Sequence, residues 1–100
     1  MANLKHHQRD SAHDAINTIC NEAVNAANHF RLGFEGEANV LLVALIDSLM
    51  QTIGHFAPIK QGTLERLCED IIRAQQRHDL IYIADALEFR LVQLIKNHED

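Results

Sequence analysis

Pro58 is the only proline in a chain of 100 residues, and only four glycines accompany it. A chain with so few backbone breakers must fold from long, uninterrupted elements. On both sides of Pro58, apolar residues recur every three or four positions, which is the period of an amphipathic α-helix. The pattern therefore predicts an all-α protein, a four-helix bundle built from two antiparallel helical hairpins. The alternative is an irregular three-helix array in which "RHD" at 77–79 is merely a kink.

The first helix is expected from about Ser11 to Arg31, capped by Asp10 or Ser11, with Ala12, Ala15, Ile16, Ile19, Cys20, Ala23, Val24, Ala27 and Phe30 on its apolar side. Residues 1–9 are read as a flexible tail and 10–100 as a single helical domain. Asn17, Asn21, Asn25 and Asn28 form a separate row, and asparagine is a mediocre helix former, so propensity does not account for it. Gly33 is the natural residue to close this helix. A second helix follows from Glu35 to Ile53, its stripe being Ala38, Leu41, Leu42, Leu45, Ile46, Leu49 and Ile53. This makes a hairpin of 10–54, a linker of 55–62 and a second hairpin of 63–98.

In the second hairpin, Thr63 is the expected N-cap of helix three, whose face is Leu64, Leu67, Cys68, Ile71 and Ile72. Asp79 is the expected N-cap of helix four, which runs to about Asn97 with Leu80, Ile83, Ala84, Leu87, Leu91, Leu94 and Ile95 inward. Short turns within each hairpin force antiparallel neighbours. Sliding the chain by 48 residues gives a faint internal echo, in which Cys20 falls on Cys68 and Ala38 on Ala86, decaying where Leu42 would meet Arg90.

Helices two and four carry more apolar residues than one buried face requires. Val40, Val43 and Met50 lie outside the stripe of helix two, and Ile81, Tyr82, Phe89 and Val92 outside that of helix four. These seven are the candidate interface residues. Full burial of such a side chain is worth roughly 1.5–3 kcal/mol, whereas a surface salt bridge is worth about 0–1 kcal/mol. The expected cover is a second copy, since closed two-fold dimers are the commonest assembly. A helical segment of another protein is the other candidate partner.

Chemistry is sparse. No "GxxxxGK", "HExxH", "CxxC" or "GxSxG" occurs, so no catalytic, cofactor or metal residues are assigned. His6 and His7 stand in the expected tail with nothing nearby to complete a site. Asp47 and Asp85 interrupt apolar runs and read as interface-boundary residues that could pair with Arg66, Arg73 or Arg90; Glu65, Glu69 and Asp70 read as a solvated face. His29 and His78 fit helix ends. Cys20 and Cys68 read as buried free thiols rather than a disulfide framework. A net charge of -5 argues against nucleic acid as a partner. The longest apolar run, "VLLVALI", is short for a membrane span. No membrane partner and a cytoplasmic location are therefore expected. The functional expectation is a small, self-associating protein-interaction module, an adaptor or regulator, rather than an enzyme. A chaperone-like module that shields a partner's amphipathic helix and a ligand-binding or catalytic bundle are the alternatives.

Overall fold

The computed structural model describes the backbone of residues 2–97 and the side chains of 14–97. It is an all-α, four-helix bundle. Helix α1 spans Ala2–Arg31, α2 spans Glu35–Thr52, and α3 spans Pro58–Gln76. The fourth helix, α4, is continuous over 80–96 but not uniform: α-helical Leu80–Asp85, a π-helical stretch Ala86–Leu91, then α-helical Val92–Lys96. A single 3-10 turn, Ile53–His55, extends α2.

Helix α1 lies closely against both α2 and α4, and α3 against α4. Helices α2 and α3 meet through side chains, Gln75 donating to Asn39 at 3.0 Å and His78 facing Glu35 at 2.5 Å. Those two pairs run in opposite directions along the helices, as do Arg31 with Asp85 and Lys96 with Cys20 across α1 and α4. Every neighbouring pair is thus antiparallel, and α2 sits diagonally from α4.

Each hairpin turn uses the same hydrogen-bond arithmetic. At the first, Gly33 has φ +82°, its N–H donates to the Phe30 carbonyl, and the Phe34 N–H reaches back to His29. At the second, His78 has φ 56°, its N–H donates to Gln75, and the Asp79 N–H reaches Ala74. Both are Schellman closures with a left-handed residue just past the helix end. Asp79 then caps α4, its carboxylate accepting from the Tyr82 N–H at 3.2 Å, as its position in the sequence predicts.

Two boundaries differ from expectation. Helix α1 starts at Ala2 rather than near Ser11, so the backbone of 2–9 is helical where a tail was expected. Nothing in that segment breaks a helix, and Asp10 and Ser11 are compatible with a helix interior at small cost. Helix α3 starts at Pro58, not Thr63, which shortens the expected 55–62 linker. Ala57 is extended (φ -61°, ψ 150°), as a residue before proline must be, and Pro58 then takes the first helical position, where its missing N–H costs nothing. Thr63 instead donates its hydroxyl to the Ile59 carbonyl, a mid-helix bond and not a cap. The fourth helix ends at Lys96, within a residue of the expected Asn97, and residue 98, the end of the expected hairpin, lies outside the described residues.

The core joins all four helices: Ile19, Ala23, Ala26, Ala27 and Phe30 from α1; Ala38, Leu42, Leu45 and Leu49 from α2; Leu64, Leu67, Cys68, Ile71 and Ala74 from α3; Ile83, Ala84, Ala86, Leu87, Leu91, Val92 and Ile95 from α4. Phe56, in the connection between the hairpins and outside the helical stripes, is buried with this core. Ile72 is exposed, against expectation, and Ala74 takes a core position in α3.

The π-helical stretch accounts for one of the extra apolar residues of α4, Val92, and for a change of spacing within the internal echo. The two left-handed turn residues, Gly33 and His78, are 45 positions apart, not 48. At that spacing Ile19 corresponds to Leu64, Ala23 to Cys68, Ala38 to Ile83 and Leu42 to Leu87, all buried. Beyond the π-helical stretch the spacing becomes 46, so Leu45 corresponds to Leu91 and Leu49 to Ile95, again all buried. A π-turn accommodates one extra residue in a helix, and every later side chain rotates accordingly. Val92 is carried into the core while Leu94 becomes half-buried.

Candidate interaction surface

The outward side of α2 is apolar. Val40 is 70% exposed and Val43 65%, and Met50 is exposed as well. With Asp47 they occupy one line at spacings of three, four and three, which is the seam of a coiled coil. The inward residues Ala38, Leu42, Leu45 and Leu49 form a second line on the other side. Helix α2 is therefore apolar on two sides with charge confined to Glu35, Glu37 and Asp47, and no lysine or arginine occurs within it. With its 3-10 extension it is also, over Glu35–His55, the one described segment long and apolar enough to cross a membrane by length and composition. The alternating four- and three-residue spacing of its buried side suits a bundle helix equally well.

Glu37 and Gln51 edge the seam as exposed polar groups, with exposed Ala44 between them and exposed His55 just past its end. Between α1 and α2, a shallow groove is lined by Asn25, His29, Glu37, Val40 and Leu41. His29 donates from Nδ1 to the Asn25 carbonyl at 2.8 Å, and its Nε2 stands 3.8 Å from Glu37. The asparagine row of α1 is exposed throughout. Asp47 has no ion-pair partner among the described residues.

The α4 candidates are arranged differently. Ile81 is exposed, and Phe89 is 56% exposed. Arg31, at the end of α1, reaches across to α4: it pairs with Glu88 and with Asp85 (3.0 Å), and its guanidinium lies 5.6 Å from the centre of the Phe89 ring. The hydrogen bonds it donates to Glu88 and then to Asp85 hold that guanidinium firmly charged. Asp85 thus pairs with Arg31, not with the α3 or α4 arginines expected for it. Tyr82 is half-buried, and its hydroxyl accepts from Arg90 at 2.9 Å, while Arg90 also approaches Asp70 at 3.7 Å. Val92 is 8% exposed and belongs to the interior of the bundle, which removes it from the candidate interface. The extra residue of the π-turn is the physical reason.

The seven candidates therefore do not make one surface. Val40, Val43 and Met50 share the α2 seam, while Ile81 and Phe89 stand on the diagonally opposite helix, where Arg31 already engages Phe89. Arg31 is the organising residue that sequence reasoning missed. Its signal, a basic residue in the last turn of α1, reads as a helix-end effect and discloses nothing of a partner 54 residues away. Exposed Leu32 and Phe34, flanking Gly33, and Ile59 were also missed.

Both cysteines are free and buried. Burial pushes both thiols up from the ordinary range; Lys96 partly opposes this at Cys20, and Glu65 adds to it at Cys68. Neither is a thiolate nucleophile near neutral pH. Among the described residues, no group of three or more histidines, cysteines, aspartates or glutamates is placed to hold a metal ion. The side chains of His6 and His7 lie outside the described residues. Comparison with protein-family models, with curated proteins and with solved structures finds no match for the chain.

Proposed function

We propose that the protein is a small helical interaction module that associates with itself through the outward seam of α2. The observation that carries this reading is the exposure of Val40 and Val43 on one line with Met50. Isolated exposed aliphatics are common, but a contiguous row at coiled-coil spacing on a helix whose other side already builds the core is a docking surface.

The magnitude of the association follows from the size of the patch. Six such side chains, three from each copy, give a gross gain on the order of 10 kcal/mol, since part of each is already buried. Lost translational and rotational freedom costs an estimated 4–15 kcal/mol. The result is a reversible, concentration-dependent dimer in the micromolar range or weaker.

Sedimentation equilibrium tests this. The wild type should pass from monomer to dimer as concentration rises. Val43→Asp should stay monomeric with unchanged helicity, whereas Phe89→Asp, on the Arg31 side of the bundle, should leave the dimer intact. A wild type that remains monomeric up to about millimolar concentration would sink the reading.

A further inference from the structure

We infer that two copies of this chain exchange α4, by opening the turn at 77–79 into continuous helix. The exchange is independent of the α2 seam. It is carried by the end of the bundle that holds both hairpin turns. The hinge there is short and strained. Only residues 77–79 separate α3 from α4, and His78 holds φ 56°, the one side-chain-bearing residue with positive φ among the described residues. Short hinges under strain invite exchange. No glycine or proline enforces the turn, since neither occurs from Thr63 to Asn97. Once straightened, Pro58–Lys96 is one helix and His78 relaxes to right-handed geometry. The N–H groups of His78 and Asp79 then pass from their bonds to Gln75 and Ala74 to ordinary helical ones. The first hairpin turn lacks this pressure, because Gly33 takes its φ of +82° without steric cost.

Exchange preserves the core. The seat of α4 is built by α1 and α3, and it is the same whichever copy supplies Ile83, Leu87, Leu91 and Ile95. The losses are confined to the hinge: the Asp79 cap on the Tyr82 N–H and the exposed His78–Glu35 pair. The gain is at the junction. Leu32 and Phe34 flank the first turn, Ile81 begins α4, and all three are exposed. The pairs Glu35–His78 and Arg31–Asp85 place them at one end of the bundle. If Asp70 keeps its place beside Arg90, now of the other copy, the two straightened helices cross at Leu80. The two bundles then meet through this end, and the exposed apolar residues of both copies stand at the junction, where water is displaced.

Refolding from denaturant at millimolar concentration, then dilution and size-exclusion chromatography with light scattering, tests this in the Val43→Asp variant, which removes the seam. With the native hinge, a dimer should form and should persist on dilution, since separation requires α4 to undock. His78→Gly favours the closed turn and disfavours the straight helix. It should weaken the exchanged dimer about a hundredfold, about tenfold at each of two hinges. Spin labels at Arg66→Cys and Gln93→Cys, in a Cys20→Ala/Cys68→Ala background diluted with unlabelled protein, report the hinge within one chain. The closed turn leaves them on neighbouring helices with axes about 8–10 Å apart. The straightened helix sets them about 40 Å apart at 1.5 Å rise per residue. A persistent dimer with the long distance is the expected result. Monomer alone after concentrated refolding, a dimer that keeps the short distance, or a His78→Gly dimer as stable as that with the native hinge would each overturn exchange through this turn.

Discussion

At the residue scale, the two hairpin turns make a controlled comparison. Both need a left-handed residue; the first has Gly33 and the second His78. A side-chain-bearing residue in that conformation costs about 1–2 kcal/mol, and the exposed His78–Glu35 pair returns only about 0–1 kcal/mol of it. His78→Gly is therefore expected to stabilise the protein by about 1 kcal/mol, raising Tm by about 4–8 °C. Gly33→Ala should destabilise it by a similar amount, with thermal unfolding reading both. The buried thiols supply a second test. Since folding raises their pKa, the folded protein holds those protons more tightly than the unfolded chain. Stability is thus complete below the ordinary thiol range, about 8.5, and declines as pH rises above it. Alkylation should be slow in the native state, slower at Cys68 than at Cys20, and fast after unfolding. Gly33 and Asp79 were legible in the sequence because caps are local chemistry. His78 was not legible as a left-handed residue, because nothing in its side chain announces the conformation; it follows from the need to close the turn.

At the scale of the element, α4 shows where periodicity misleads. A stripe counted at 3.6 residues per turn places Leu94 inside and Val92 outside, whereas the structure buries Val92 and leaves Leu94 half-buried. The count fails at Ala86–Leu91 because a π-turn holds one residue more than the pattern assumes. The seam of α2, a regular helix, was read correctly as an excess of apolar residues beyond its core stripe. The start of α3 was misread because Pro58 was taken as a stop, when its fixed φ also makes it a good first residue of a helix. The π-turn carries its own prediction. Deleting one residue from the middle of a regular helix rotates everything beyond it out of the core. Deleting Phe89 should instead convert α4 to a continuous α-helix with Ile83, Leu87, Leu91 and Ile95 still inward. The loss is confined to the Arg31–ring contact, about 0.5–1 kcal/mol at an exposed site. Circular dichroism and thermal unfolding should therefore show a folded variant of near-wild-type helicity, while deletion of Ser48 from α2 should unfold the chain. Equal damage from the two deletions would mean that the π-turn is not a simple one-residue insertion.

At the scale of the whole molecule, loop lengths were enough to predict the antiparallel pairing within each hairpin, but they say nothing about which helices meet between hairpins. That is decided by the small side chains of α1, whose Ala23, Ala26 and Ala27 are fully buried and allow α4 to come as close as α2 does. An alanine-rich stripe is visible in the sequence, yet the identity of the helix that fills the space is a three-dimensional fact. The consequence is that α1 serves both hairpins at once. Alone, residues 1–57 would expose the side of α1 that α4 covers, and residues 58–100 would expose Ile83, Leu87 and Leu91. A short helical hairpin stripped of half its packing is marginal in water, because helices of this length draw their stability from tertiary burial. Each fragment by itself should therefore show little helical circular dichroism, and an equimolar mixture should regain the helical signal of the intact chain. If residues 1–57 alone reached native helicity as a monomer, the α1–α4 contact would be a docking of two independently stable units, and the single core shared by four helices would not be what holds this fold together.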